Sequence, residues 1–223
     1  MSQRFPAADT PGDGLEEKPG SSPCPNAPVQ THLQLLHILH QDGYGQQELA
    51  YLNRSYWLAA EMFGAKLRGT GKPFLCHLVG TASAAALEKP PAEVLAAALC
   101  HGIYTNGDFG YLRDPQARTS RVRAVLGGAA DEQLRHYDDF QRHRAQRIPE
   151  LLSSDGPVTD SARYSALIWV ANEVDDETDA GARFRRQRPD RERRRDFAAC
   201  LCAFFGWTTL ASAVSTAYAG YDA

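Results

Sequence analysis

Arg68-Gly69-Thr70-Gly71-Lys72-Pro73-Phe74-Leu75-Cys76-His77 opens a stretch that ends on Leu99-Cys100-His101-Gly102-Ile103-Tyr104-Thr105-Asn106-Gly107-Asp108. Between the two halves runs an alanine-rich segment broken by Pro90-Pro91. The glycine turn delivers His77 at the start of one helix, where Pro73 suits the first turn. Pro91 opens a second helix, which ends at His101-Gly102. Two imidazoles on the arms of a helical hairpin are suited to hold one divalent metal ion.

Outward from this hairpin the helical pattern continues. Thr31 with Gln34 reads as a capping box for a short helix with a Leu33, Leu36, Leu39 stripe. His32, His37 and His40 on it read as surface histidines. A long helix is expected from about Gln46 to Leu67, with Leu49, Leu52, Tyr56, Ala60, Phe63 and Leu67 at helical spacing. The stretch Ile103–Arg118 reads as a long loop, and such loops beside candidate ligands often carry function. Thr119 is expected to begin a short helix closed by Gly127-Gly128, with Asp131 capping the next to about Arg144. Ser153–Pro157 reads as a loop and Ser161 to Asp176 as a helix. Two apolar helices split near Gly206-Trp207 follow. No strand pattern or repeat is evident.

Composition agrees with an all-α fold, because Ala and Leu outnumber the β-branched residues. At 223 residues the chain suits one domain with a substantial core. Residues 1–28, rich in Pro, Gly and Ser, read as a disordered leader, and 29–223 as the helical domain. A net charge of -3 gives no reason to expect a nucleic-acid partner. The uncharged run from Phe197 to Tyr221 follows Arg193-Arg194-Arg195, the order found in a membrane anchor. Its Ala, Ser, Thr and Gly content favours buried helices instead. Five cysteines without zinc spacing, and no recognisable signal peptide, suggest reduced thiols in a cytoplasmic protein. The arginines of Arg183–Arg188 read as a solvated surface balanced by Asp175-Asp176-Glu177-Thr178-Asp179.

The segment from Leu49 to Asp176 resembles the HD superfamily of metal-dependent phosphohydrolases, in particular the hydrolase domain of RelA/SpoT enzymes that act on (p)ppGpp. The resemblance rests on Arg68, on Thr70-Gly71-Lys72-Pro73-Phe74, on His77-Leu78 and on the spacing from His77 to His101. Arg121–Leu134 is similar to the family's Phe-Gly turn, and Ala171-Asn172-Glu173 falls where its Ala-Asp-Arg stands. It implies an HD-like multi-helix bundle with a divalent ion (Fe, Zn or Mn) held by His77, His101 and Asn172 or Asp176. Asp108 or Glu173 would serve as general base, and Tyr104 would donate a hydrogen bond to substrate. Arg68, Lys72 and Asn106 would hold a small anionic substrate, phosphorylated or nucleotide-like.

The chain departs from the pattern at three places. Gly102 stands for the Asp of the His-Asp pair, Thr105-Asn106 for a Glu-Asp pair, and Asn172 for the last metal-binding Asp. A Gly and an Asn supply less negative charge than two carboxylates. Two other readings therefore stand beside the hydrolase: a non-catalytic HD-like protein that binds a ligand or partner, and a metalloenzyme with non-hydrolytic chemistry. In the plainest alternative His77 and His101 are buried and simply hydrogen-bonded to each other. A homo-oligomer is compatible with all of these.

Overall fold

The computed structural model describes residues 28–179 and 190–219, and it is an all-α helical bundle. The expected leader (all but Pro28) and the segment Arg183–Arg188 lie outside the described residues. Among the described residues the helices are α1 (His32–Gln41), α2 (Gln46–Phe63), α3 (Phe74–Ala86), α4 (Ala92–Leu99), α5 (Ile103–Asn106), α6 (Pro115–Arg142), α7 (Arg144–Leu152), α8 (Asp160–Thr178), α9 (Arg191–Phe205) and α10 (Thr208–Ala219). None of them is long and apolar enough to cross a membrane.

The centre of the bundle is α8. Every residue from Ser165 to Glu177 is buried, so this helix has no solvent face. Thr159 caps it by accepting from the Ala162 N–H. Helices α3, α6, α9 and α10 surround it, and its most extensive partner is α3. A helix enclosed on all sides carries whatever polar residues it has into the interior. Asn172, Glu173, Asp175, Asp176 and Glu177 are therefore core residues here.

That placement overturns the expectation of a solvated acidic run. Burying carboxylates without cations is prohibitively costly, and each of these acids has one. Arg191 pairs with Glu177 at 2.8 Å, Arg194 clasps Glu173, Arg68 reaches Asp176 and Lys72 reaches Asp175.

Other boundaries also differ from the pattern reading. The capping box at Thr31 and Gln34 is present, but the buried stripe of α1 is Leu35 and Leu39, while Leu33 is 78% exposed. Helix α2 ends at Phe63, and Leu67 pairs instead with Pro73 in an isolated β-bridge across the glycine turn. The long loop is shorter than expected, because Asp114 accepts from the N–H groups of Gln116 and Ala117 and starts α6 at Pro115. Gly127, at φ +78° and ψ 175°, is non-helical and divides α6 into two helical halves that meet at a kink, so the expected break at Gly127-Gly128 is present. Asp131, however, is no cap; it is a buried carboxylate bound by Tyr104, Arg123 and Arg135. The expected split at Gly206-Trp207 is present, with Gly206 at φ +71° closing α9.

Candidate functional site

The glycine turn places His77 on the first turns of α3, and the end of α4 places His101 against it. His77 is fully buried and His101 is 6% exposed. Their Nε2 atoms lie 3.0 Å apart, with the ring planes at 77°. On the far side of each ring, Nδ1 meets an acceptor: His77 donates to Asp175 at 2.7 Å, and His101 donates to the Ala98 carbonyl at 2.7 Å. Both Nε2 atoms are thereby turned toward one another. This is the arrangement of metal-binding histidines, in which the second ring nitrogen is fixed by a carboxylate or a backbone carbonyl.

Two nitrogens at 3.0 Å cannot both present bare lone pairs. Metal–imidazole bonds of ~2.0–2.1 Å meeting at ~90–110° place their nitrogens about 2.9–3.4 Å apart, so one ion fits between them. Without an ion, a proton must lie there. His101 already donates from Nδ1, so the hydrogen between the two rings is donated from the His77 side. The two Nε2 atoms are thus arranged to share one hydrogen or one ion.

Burial and the neighbouring His77 push the His101 pKa down to about 3. Burial alone would raise Asp175, but the His77 hydrogen bond and the Lys72 and Gln30 contacts outweigh it and hold the carboxyl below its usual range. For His101, the unfolded chain takes up a proton below about pH 6.5 that the folded ring refuses until about pH 3. Its contribution is therefore a loss of stability as pH falls through that window. Asp175 acts lower, since its stabilisation is present above the unfolded carboxylate pKa. Urea unfolding at pH 6.5 and pH 5 should show a smaller acid loss for His101→Gln than for the unsubstituted protein. An equal loss would mean that His101 is not the group resisting protonation.

Asp175 is the hub of the site. Its carboxylate takes hydrogen bonds from His77, from Lys72 at 2.7 and 2.8 Å, and from Gln30 at 3.0 Å. There is room for it because residue 80 is Gly: a Cβ there would lie 1.8 Å from Asp175 Oδ1 and 2.8 Å from Gln30 Nε2. Gly80→Ala should displace Asp175, lower stability by about 1–3 kcal/mol and reduce any bound metal. Thermal denaturation together with metal analysis checks this, and an unchanged melting temperature would show that the helices part at little cost.

His77, Asp175 and Asp176 offer ligand atoms that all lie within 4.8 Å of one another. That grouping uses His77 Nδ1, where Lys72 already supplies the cation. His101, Asn172 and Asp176 line a neighbouring cavity of about 290 Å³, while Asp176 Oδ1 also lies 3.7 Å from His77 Nδ1. Asn172 is 5% exposed and its amide has no hydrogen-bond partner among the described residues. The amide lines the cavity and is free to meet a bound group there.

The other residues singled out from the sequence separate clearly. Arg68 and Asn106 line the cavity, and Arg68 is held by Asp176 at 2.6 Å and lies over the Phe74 ring. Lys72 does not line it; its ammonium is bound to Asp175. Asp108 is exposed and accepts from the Gly110 N–H at 2.8 Å, a loop contact away from the cavity. Glu173 is clasped by the Arg194 guanidinium, which leaves it poorly placed as a base. The Tyr104 hydroxyl donates to Asp131 and does not enter the cavity.

Five cavity residues were not singled out from the sequence: Tyr137, Asp138, Gln141 and Arg142 on α6, and Arg194 on α9. Tyr137 packs edge-on against His101 at 5.6 Å between ring centroids. Burial raises the Asp138 pKa, offset in part by Arg142 and Arg135. No protein-family model matches the chain, and no curated protein matches it.

Proposed function

We propose that the chain is a divergent HD-like metal-dependent phosphohydrolase acting on a small phosphorylated or nucleotide-like substrate. The observation that carries this reading is the pair of Nε2 atoms at 3.0 Å, each ring fixed from behind, beside a polar cavity. His77 and His101 would hold the ion, with Asn172 and Asp176 next to them. When bound, a divalent ion supplies Lewis acidity toward a phosphoryl oxygen and an activated water. Two imidazoles, an amide and one carboxylate favour Zn²⁺ or Fe²⁺ over a harder ion.

The chain's own residues do the rest. Arg68 presents a guanidinium to the anionic part of the substrate while Asp176 keeps it in place. Asp175 orients His77 so that its Nε2 faces His101, and the Ala98 carbonyl does the same for His101. Metal analysis of the protein purified without chelator should give about one equivalent of Zn or Fe per chain. A metal-free protein that also fails to bind either ion on titration would overturn the enzyme reading.

The buried proton-sharing pair favours a second reading, an HD-like protein that binds a ligand without turning it over. The departures at Gly102 and Asn172 bear on one activity in particular. Gly102 has φ +74°, a backbone conformation that disfavours a side chain, so a carboxylate is absent there for a conformational reason as well. No appreciable Mn²⁺-dependent release of pyrophosphate from (p)ppGpp is expected. Robust Mn²⁺-stimulated turnover in that assay would show that Asp176 or Asp138 has assumed the missing roles.

A further inference from the structure

Three polar groups in the cavity lack partners within the protein. The Asn172 amide is one of them. The second is the Gln141 side-chain oxygen, which is shielded from solvent and accepts no hydrogen bond. The third is the Asp138 carboxylate, half-buried, for which no hydrogen bond or ion pair forms among the described residues; only its backbone carbonyl is used, by Arg142. Asp138 and Gln141 are three apart on α6 and so share a face. An unmade hydrogen bond at a buried acceptor costs about 1–3 kcal/mol; the Gln141 oxygen is such an acceptor, and the Asp138 carboxylate beside it, near Arg142 and Arg135 but hydrogen-bonded to neither, is a second acceptor on the same wall.

The geometry points to α6 as the wall that reads the hydroxyl groups of the substrate, with Asp138 and Gln141 accepting from a sugar-like part of a phosphate ester. This rests on the phosphohydrolase reading and adds the substrate class to it. A carboxylate beside an amide oxygen accepts from neighbouring hydroxyls together, whereas single waters would have to be ordered one by one. The phosphate would lie toward Arg68 and the histidine pair, in the same cavity. A volume of about 290 Å³, at the lower limit of small-molecule sites (~300–1,000 Å³), suits a sugar phosphate and leaves no space for a dinucleotide. The Arg142 guanidinium, exposed on the next turn of α6, offers charge to a phosphate rather than to a hydroxyl.

Calorimetric titration of the metal-loaded protein tests the assignment with three probes: ribose 5-phosphate, inorganic phosphate and phosphoethanolamine. Ribose 5-phosphate should bind at least about tenfold more tightly than inorganic phosphate. In the Asp138→Ala, Gln141→Ala double variant that preference should vanish, while inorganic phosphate binds as before. Equal affinity of the unsubstituted protein for the two phosphates would overturn the inference and leave the phosphohydrolase reading intact. Tighter binding of phosphoethanolamine would replace the hydroxyl-reading wall by an amine-reading one. Should neither phosphate bind a protein that holds its metal, both this inference and the phosphate part of the reading fail, while the metal site stands. If the double variant does not fold, the comparison of the three probes on the unsubstituted protein decides.

Discussion

Asp175→Ala is expected to destabilise the protein by about 3–5 kcal/mol, the usual cost of removing one member of a buried charged group. The carboxylate is fully buried, and three side chains depend on it: His77, Lys72 and Gln30. Its removal leaves the Lys72 ammonium, 11% exposed, without its counterion, and leaves the His77 Nδ1 without an acceptor. Gln30 would also lose its anchor, and through it the segment leading into α1 would lose a tie to α8. For a chain of this size each kcal/mol shifts the melting temperature by about 2–4 °C, so a fall on the order of 10 °C is expected by circular dichroism. Asp175→Asn should lose less, because its amide oxygen still accepts a hydrogen bond. A drop below about 3 °C for Asp175→Ala would mean that the helices around α8 re-close over the gap and that the hub is dispensable.

The role of Asp175 shows where a sequence is readable and where it is not. The helical class, the capping box at Thr31, the hairpin carrying His77 and His101, and the break at Gly206 follow from local propensity and periodicity. Those signals are carried by residues within a turn or two of each other. The sharing of a helix face by Asn172, Asp175 and Asp176 follows in the same way from spacing on α8. Which of them faces the histidines does not, because it depends on the packing of α3 against α8, nearly 100 residues apart along the chain. Gly80 sits in an alanine-rich helix as an ordinary small residue, and only the close approach of Asp175 shows why it has no Cβ.

In α6 the break at Gly127-Gly128 follows from the glycines, but the role of Asp131 does not. The second half of the helix resumes directly after the kink, so Asp131 lies inside it as a buried carboxylate bound by Tyr104, Arg123 and Arg135, and the far end of that half reaches the cavity. Asp138, Gln141 and Arg142 were therefore not identifiable as site residues. The acidic run after Asn172 was misjudged because charge normally signals exposure. That rule yields where a helix is enclosed on all sides and cations arrive from other elements, here Arg68, Lys72, Arg191 and Arg194.

His101→Ala should weaken divalent-metal binding by about 100-fold or more, since even a partner behind a ligand is worth about 10–100-fold in affinity. Calorimetric titration with Zn²⁺ measures this, and His77→Ala should match it, because the proposed site puts both Nε2 atoms on one ion. The reason lies in the geometry. The two Nε2 atoms are 3.0 Å apart, and the Nδ1 of each ring is taken up behind it, by Asp175 for His77 and by the Ala98 carbonyl for His101, so both rings present Nε2 to the same point. If Zn²⁺ binds His101→Ala as tightly as the unsubstituted protein, the ion sits on the Nδ1 side with Asp175 and Asp176. The 3.0 Å pair would then be a buried hydrogen bond and nothing more.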